Sequence, residues 1–250
     1  MIDIRGRFGS KTDIGLVRSS NEDKALSIID AYGNVLLCVC DGMGGYMKGD
    51  VASQIAKDVI TSAFKSKRQW FFSWQVSHWI AKIIKSINYS VYNEATDTES
   101  LKGMGTTLVM SVFFKDKIFI ANIGDSRCYL LEEEDIVQVT RDQTYVEYQV
   151  SKKEIKEEEK ATSKDRHYLT NFIGKSNVID YEFKIIKNAG KTVLLCSDGL
   201  YNNASKKQIF SALRSDERLD QKISTLIGIA KANGGTDNIA VSIWEPYKND

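Results

Sequence analysis

Histidine, cysteine and proline are almost missing from this chain, and so is any excess of charge. Its 250 residues include 2 histidines, 4 cysteines and 1 proline, and 34 basic against 33 acidic residues leave a formal net charge of +1. The near-zero charge argues against a protein whose main partner is nucleic acid. The cysteines (Cys38, Cys40, Cys128 and Cys196) form no C-x-x-C pair, and His78 and His167 lie far from them in sequence. That argues against a zinc site or a disulfide framework, and for buried reduced thiols in a reducing compartment. No window approaches about 18 uninterrupted apolar residues, so no membrane helix is expected. The start, MIDIRGRFGSKTD, is charged and has no apolar core of a secretory signal. The expected location is the cytoplasm. There is no internal repeat, no low-complexity linker and no G-x-x-x-x-G-K-[ST] loop, which removes a nucleotide triphosphate site of that kind. No serine–histidine or cysteine–histidine signature calls for a covalent nucleophile.

What is present is ordinary for a globular fold. Hydrophobic residues make up 42% and charged residues 27% of the chain, and the length suits one domain. VLLCVC (35–40) and TVLLCS (192–197) are short continuous apolar runs that suit strands buried on both faces. Segments 106–114 and 117–124 flank Lys115-Asp116 as a hairpin; 128–140 reads as a second hairpin turning at Glu132–Asp135, and 238–245 as a last strand. Apolar residues at helical spacing mark helices over 49–67 and 72–95, and a further pair at about 205–213 and 218–232. Residues 141–180 are highly charged, with KKEIKEEEK at 152–160, and read as a mobile surface subregion with some helix, the charge run being a solvated helix face. Runs of strands alternating with runs of helices point to α+β packing. The aromatic stretch containing Trp70, Phe71, Phe72, Trp74 and Trp79 reads as core packing between helices, or as a docking surface if rings are exposed. His78, within a helical run, reads as a packed or solvent-edge residue.

Acidic residues recur in one setting. Asp41-Gly42 and Asp198-Gly199 each end an apolar strand, and Gly234-Gly235-Thr236-Asp237 precedes another; Glu22-Asp23 and Asp125 sit in similar places. A single Asp-Gly is ordinarily a turn. An ionised carboxylate at the edge of a hydrophobic core needs a compensating partner, and no matching set of arginines stands beside these positions. Cations are the natural compensation, and all-oxygen ligands select Mg²⁺ or Mn²⁺. Carboxylates bridging two such ions suit hydrolysis of phosphate esters. Arg18, four residues before Glu22, offers a guanidinium for phosphate. Gly103-Met104-Gly105-Thr106 has no following lysine and reads as a close-packed strand entry.

These segments resemble the metal-dependent protein phosphatases of type 2C in their compact bacterial form. The resemblance rests on DIGLVRSSNED (13–23), VCDGMGGYMKGDVAS (39–53), GMGTTL (103–108), ANIGDSR (121–127), LLCSDGLYNN (194–203) and GGTDNIAV (234–241), in the family's order and over nearly the whole chain. It implies a four-layer α-β-β-α sandwich, two central antiparallel sheets flanked by helix pairs, as one catalytic domain over 1–250 with 141–180 as a variable flap. It implies hydrolysis of phosphoserine and phosphothreonine on proteins by a metal-activated water, in opposition to a Ser/Thr kinase. By matching motif, Asp41 would bridge two Mg²⁺ or Mn²⁺ ions, the Gly42 carbonyl would join one, and Asp198 and Asp237 would hold the other. Asp125 would help hold a third, weaker metal. Glu22 and Asp23 would orient waters and Arg18 would grip the phosphate. Met43 stands where many members from higher organisms carry a histidine thought to protonate the leaving group, and a thioether donates no proton. Asp142-Gln143 replaces a common Asp-His pair, and Asn202 stands where an acid is frequent. The alternatives are a partner-switching regulator of the same fold and a non-catalytic phosphoprotein-binding pseudophosphatase. Phosphoproteins are the expected partners, with no nucleic acid and no membrane, and the chain is expected to be a monomer.

Overall fold

The computed structural model describes residues 6–44 and 48–247. Residues 45–47, part of the 39–53 motif, and 1–5, part of the start read above for a secretory signal, lie outside the described residues, as do 248–250. The strands are β1 (Gly6–Asp13), β2 (Lys24–Ile29), β3 (Val35–Cys40), β4 (Gly42–Met43), β5 (Gly105–Thr106), β6 (Leu108–Phe114), β7 (Lys117–Ile123), β8 (Arg127–Leu131), β9 (Ile136–Gln138), β10 (Glu182–Lys187), β11 (Val193–Cys196) and β12 (Ile239–Pro246). The helices are α1 (Lys48–Ser66), α2 (Ser73–Asp97), α3 (Tyr145–Ser151), α4 (Asp198–Tyr201), α5 (Lys206–Arg214) and α6 (Leu219–Ala232).

Two five-stranded antiparallel sheets form the centre, ordered β1-β12-β11-β8-β9 and β10-β7-β6-β3-β2, with β4 and β5 as a small separate ribbon. The continuous apolar run of β3 has a purpose on each face. Leu36, Cys38 and Cys40 pack with Phe64, Ile80 and Ile84 of α1 and α2. Val35, Leu37 and Val39 pack across the sandwich with Val193, Leu195 and Trp244. On the far side, Leu194, Val241 and Ile243 meet Ile209 and Leu226 of α5 and α6. Helices therefore cover both outer faces, and the α-β-β-α order of layers follows from strands that are apolar on both sides. Trp244 stacks on Phe113 between the sheets, ring centroids 4.8 Å apart. The two hairpins turn where the sequence places them, with Phe114 opposite Lys117 and Leu131 opposite Ile136. All four cysteines are buried and free.

Two expectations need correction. The charged run 152–160 is not one helix face. Helix α3 stops at Ser151, Lys153 takes a left-handed φ of 61°, and a 3₁₀ turn follows over Glu157–Thr162. The aromatic stretch is core only in part. Trp70 packs edge-on against Phe64, Trp79 and Phe114, while Phe71, Phe72 and Trp74 are exposed.

Beside Trp70 lies a buried ion pair. Lys67 Nζ is 2.5 Å from the Asp30 carboxylate and 3.5 Å from the centroid of the Trp70 ring. Burial pushes the Asp30 carboxyl upward, but hydrogen bonds from the Asn34 side chain, Lys67 and the Asn34 and Tyr32 amides outweigh it and hold it below the ordinary 3.8. A carboxyl depressed in the folded state adds stability above its unfolded value, and that stability disappears as pH falls through the folded value. Asp30→Asn is therefore expected to cost about 3 kcal/mol at pH 7, because Lys67 is left buried without its counter-charge. The difference from wild type should shrink below about pH 4. Urea midpoints of both proteins at pH 7 and pH 3 check this; a gap that persists at pH 3 would remove the ion pair as its cause.

Candidate active site

The acids reach one end of the sandwich because of strand direction. Asp41 follows β3 and Asp23 precedes β2, its antiparallel neighbour, with Lys24 registered opposite Cys40. Asp198 follows β11, and Asp237 comes just before β12, which runs antiparallel to β11. Asp125 follows β7, which is antiparallel to β6 and so parallel to β3. The loop carrying Arg18 joins β1 to β2 at the same end.

A cleft of about 500 Å³ opens there, lined by Arg18, Glu22, Asp41, Gly42, Asp125, Asp198 and Asp237 among others. Asp23 lies behind it, 2% exposed, and accepts a hydrogen bond from Ser197 Oγ at 2.6 Å. Arg18 donates from its guanidinium to Asp237 Oδ2 at 2.7 Å. The ribbon β4–β5 pairs Gly42 with Thr106 and Met43 with Gly105, so 103–106 is a close-packed strand entry. Gly42 has no room for a side chain, since a Cβ would stand 2.2 Å from the Gly49 carbonyl oxygen at the start of α1.

Further residues hold the site, most of them, unlike Asp142 and Asn202, not singled out in the sequence. Asn238 accepts from the Glu22 amide at 2.8 Å and donates to the Ile14 and Ser20 carbonyls at 3.0 and 2.9 Å, which pins the Arg18 loop against β12. Its place directly after Asp237 was the available signal. Thr107 fixes Asp41 from both sides, its hydroxyl accepting the Asp41 amide at 3.0 Å and its amide donating to the Asp41 carbonyl at 2.8 Å. Tyr201 donates to the Asp125 carbonyl at 3.0 Å and is stacked by Arg127, 3.5 Å from its ring centroid. Arg127 in turn grips Asp142 at the flap entry through two nitrogens. Asn202 donates to Asp198 Oδ2 at 3.0 Å, a bond an acid there would not make. His167 reaches the cleft from the flap and accepts a hydrogen bond from Arg166 Nε at 2.9 Å. Burial and the Arg166 charge hold its pKa below 6.5. Nothing in its charged surroundings in the sequence marks it for the site.

The electrostatics test whether divalent cations fit. Burial, reinforced by neighbouring carboxylates, pushes Asp23 to about 7, Asp198 to about 6 and Asp125 to about 8, and lifts Asp41 well above the usual carboxylate range. Among the described residues, only Arg18 forms an ion pair with a cleft carboxylate, at Asp237. Among the described residues no three His, Cys, Asp or Glu side chains close on a single point as an ion would require. The acids instead line one cleft, as expected of like charges that repel while Arg18 holds one of them. Four crowded carboxylates with oxygen-only chemistry and too little positive charge fit hard divalent cations.

Comparisons with known proteins converge on one family. The family described as Protein phosphatase 2C matches residues 17–240. The serine/threonine phosphatase stp of Listeria welshimeri is 33% identical over 236 residues, 94% of each chain. The crystal structure of the serine/threonine phosphatase Stp1 from Staphylococcus aureus superposes with a TM-score of 0.91 at 30% identity, covering 96% of this chain and 95% of that one. The catalytic domain of the phosphatase PstP, solved in complex with 2 manganese ions, superposes with a TM-score of 0.82 at 29% identity over 96% and 97% of the two chains. The chain belongs to the protein phosphatase 2C family of metal-dependent phosphatases.

Proposed function

We propose that this protein hydrolyses phosphoserine and phosphothreonine on other proteins in opposition to a Ser/Thr kinase. The observation that carries the reading is the single cleft into which separate strand ends bring Asp41, Asp125, Asp198 and Asp237 beside the Arg18 guanidinium. Asp41 would bridge two cations, with the Gly42 carbonyl on one side and Asp198 and Asp237 on the other, and Asp125 would serve a third. Bound there, Mg²⁺ or Mn²⁺ supplies Lewis acidity, acidifying a water nucleophile and neutralising charge on the phosphoryl oxygens.

The chain's own groups do the rest. Arg18, about half exposed at the cleft, binds the phosphate oxygens. Glu22 and Asp23 accept hydrogen bonds from water and orient it. Water attacks phosphorus and gives up a proton to solvent, the P–O bond to the serine or threonine oxygen breaks, and the departing oxygen takes a proton from solvent water. Met43 lines the cleft but donates none. The chain acts as one catalytic domain with 141–180 as its flap, a reading supported by flap residues His167 and Leu169 in the cleft wall. The four cysteines are buried and free, which supports a reducing compartment such as the cytoplasm, and no helix among the described residues is long and apolar enough to cross a membrane.

Parallel assays on phosphoserine, phosphothreonine and phosphotyrosine peptides with Mn²⁺ test the substrate class. Turnover of the first two and little of the third is expected; inactivity on all would favour the phosphoprotein-binding alternative. Arg18→Ala is expected to raise KM by about 10–100-fold, the value of a charge-assisted phosphate contact of about 1.5–3 kcal/mol, with kcat changed less. Unchanged steady-state constants would take Arg18 out of the site.

A further inference from the structure

We propose that the groove between the C-terminal end of α1 and the first turns of α2 is a docking site for an acidic peptide segment carrying a large apolar side chain. The groove measures about 530 Å³. Its walls include Trp70, Trp74 and Trp79, with His78, Arg68 and Lys82 at its edges. Trp70 and Trp79 are fixed in the core by edge-on packing against Phe64, so the floor is rigid. Trp74 is 66% exposed, and Phe71 and Phe72 just before it are 57% and 61% exposed. Three large rings in four residues are left in water where the chain enters α2, Trp74 in the groove wall and Phe71 and Phe72 beside it, and such a cluster is what an interaction surface presents.

Charge selects the occupant. The groove's lining contains basic side chains and no carboxylate. Lys67 is committed to Asp30 beneath the surface. Arg68 and Lys82 are exposed and make no ion pair among the described residues. An aromatic floor between two uncommitted cations fits a segment that inserts an apolar side chain and sets carboxylates against Arg68 and Lys82. A basic or neutral segment would leave those charges uncompensated.

The groove is remote from the cleft. Helix α1 starts against it, with Ser53 Oγ donating to the Glu22 carbonyl at 2.6 Å, and runs 19 residues to Ser66, which lines the groove. Such a helix is about 28 Å long. An extended chain would need at least about 8 residues to join the two sites. The groove would therefore tether phosphoproteins whose acidic segment lies at least that far from the phosphorylated residue. That consequence rests on the phosphatase reading; binding in the groove does not.

The test selects short random peptides displayed on phage for binding to the wild-type protein, with the triple variant Arg68→Glu, Trp74→Ala, Lys82→Glu as counter-selection. Enriched peptides are expected to place two or more Asp or Glu beside Trp, Phe, Leu or Ile. A fluorescein-labelled synthetic copy of an enriched peptide should bind by anisotropy, weaken with added salt, and lose about tenfold in affinity on Trp74→Ala alone and on the Arg68→Glu, Lys82→Glu pair. A urea midpoint within about 1 M of wild type shows that each variant is folded. Neutral or basic enriched peptides, or none that depend on these three residues, would overturn the proposal. So would a concentration-dependent dimer in light scattering that Trp74→Ala disperses, since a second copy would then be the occupant. Anisotropy needs no turnover, so a failure here is distinguishable from a failure of the phosphatase reading.

Discussion

Asp41→Asn is expected to lower phosphopeptide turnover by about 10³-fold or more while making the protein more heat-stable when no divalent cation is present. The first effect follows from position. Asp41 follows β3, is clamped by Thr107 on both its amide and its carbonyl, and is the carboxylate proposed to serve both cations. Loss of one preorganised electrostatic group from an active site costs about 10²–10³-fold, and a bridging carboxylate sits at the upper end of that range. The second effect follows from burial. The Asp41 carboxyl is pushed well above its ordinary pKa by desolvation first, then by Asp23, Asp198, Asp125 and Asp237. An amide of the same shape removes that repulsion. Each pKa unit relieved is worth about 1.4 kcal/mol, and each kcal/mol about 2–4 °C in a chain of this size. Calorimetry in EDTA and phosphate release in Mn²⁺ measure the two effects. Wild-type turnover in the variant would remove Asp41 from the chemistry, and a lower midpoint would mean that its negative charge is needed by the fold itself.

The second large effect comes from a residue with no chemistry. Gly199→Ala should cost about 3 kcal/mol or more in stability and about 10²-fold in kcat/KM. A Cβ at Gly199 would lie 1.8 Å from the Asn238 carbonyl oxygen and 2.8 Å from its carbon, so backbone has to part on one side. Overpacking that backbone must absorb reaches this magnitude. The activity falls with it because Asn238 pins the loop from Ile14 to Glu22, and displacing catalytic groups by about 1 Å costs about 10²-fold. Gly228→Ala is the control. That glycine lies in α6 with nothing within 4 Å of a Cβ, so alanine is expected to stabilise by about 0.5–1 kcal/mol. Urea midpoints for both variants decide the matter; a Gly199→Ala protein as stable as Gly228→Ala would contradict the close approach at the cleft.

The fold was legible where burial is two-sided. β3, β6, β7, β11 and β12 read as strands from apolar runs because each lies inside a sheet with core on both faces. β1, β2 and β10 were not read. Each is an edge strand, paired on one side and half-exposed, and GRFGSKTD has neither an apolar run nor alternation. Such strands are set by partners distant in sequence, here Asp13 opposite Ile239, and short-range pattern carries no trace of that. The flap is similar. Its course depends on long-range bonds, among them Gln143 to Gly124 and Asn88 to Gly174 and Ser176.

The site was legible for a different reason. Carboxylates at the ends of buried strands are unusual enough to be noticed singly, and strand direction then places them together. What stayed hidden are uncharged residues that act through geometry: Asn238, Thr107 and Ser197 carry no sign in a composition or charge reading. The exposure of Phe71, Phe72 and Trp74 was equally out of reach, since helical spacing does not distinguish rings that cap a core from rings beyond its end.

The most direct measurement titrates Mn²⁺ into the metal-free protein by calorimetry and follows phosphate release from a phosphothreonine peptide over the same titration. Binding of at least two ions is expected, with turnover rising alongside it, abolished by chelator and restored by added Mn²⁺. In Asp41→Asn and Asp198→Asn both binding and turnover should fall together while the fold survives. Turnover that persists in chelator, or Mn²⁺ binding that both variants leave untouched, would contradict the assignment of these carboxylates.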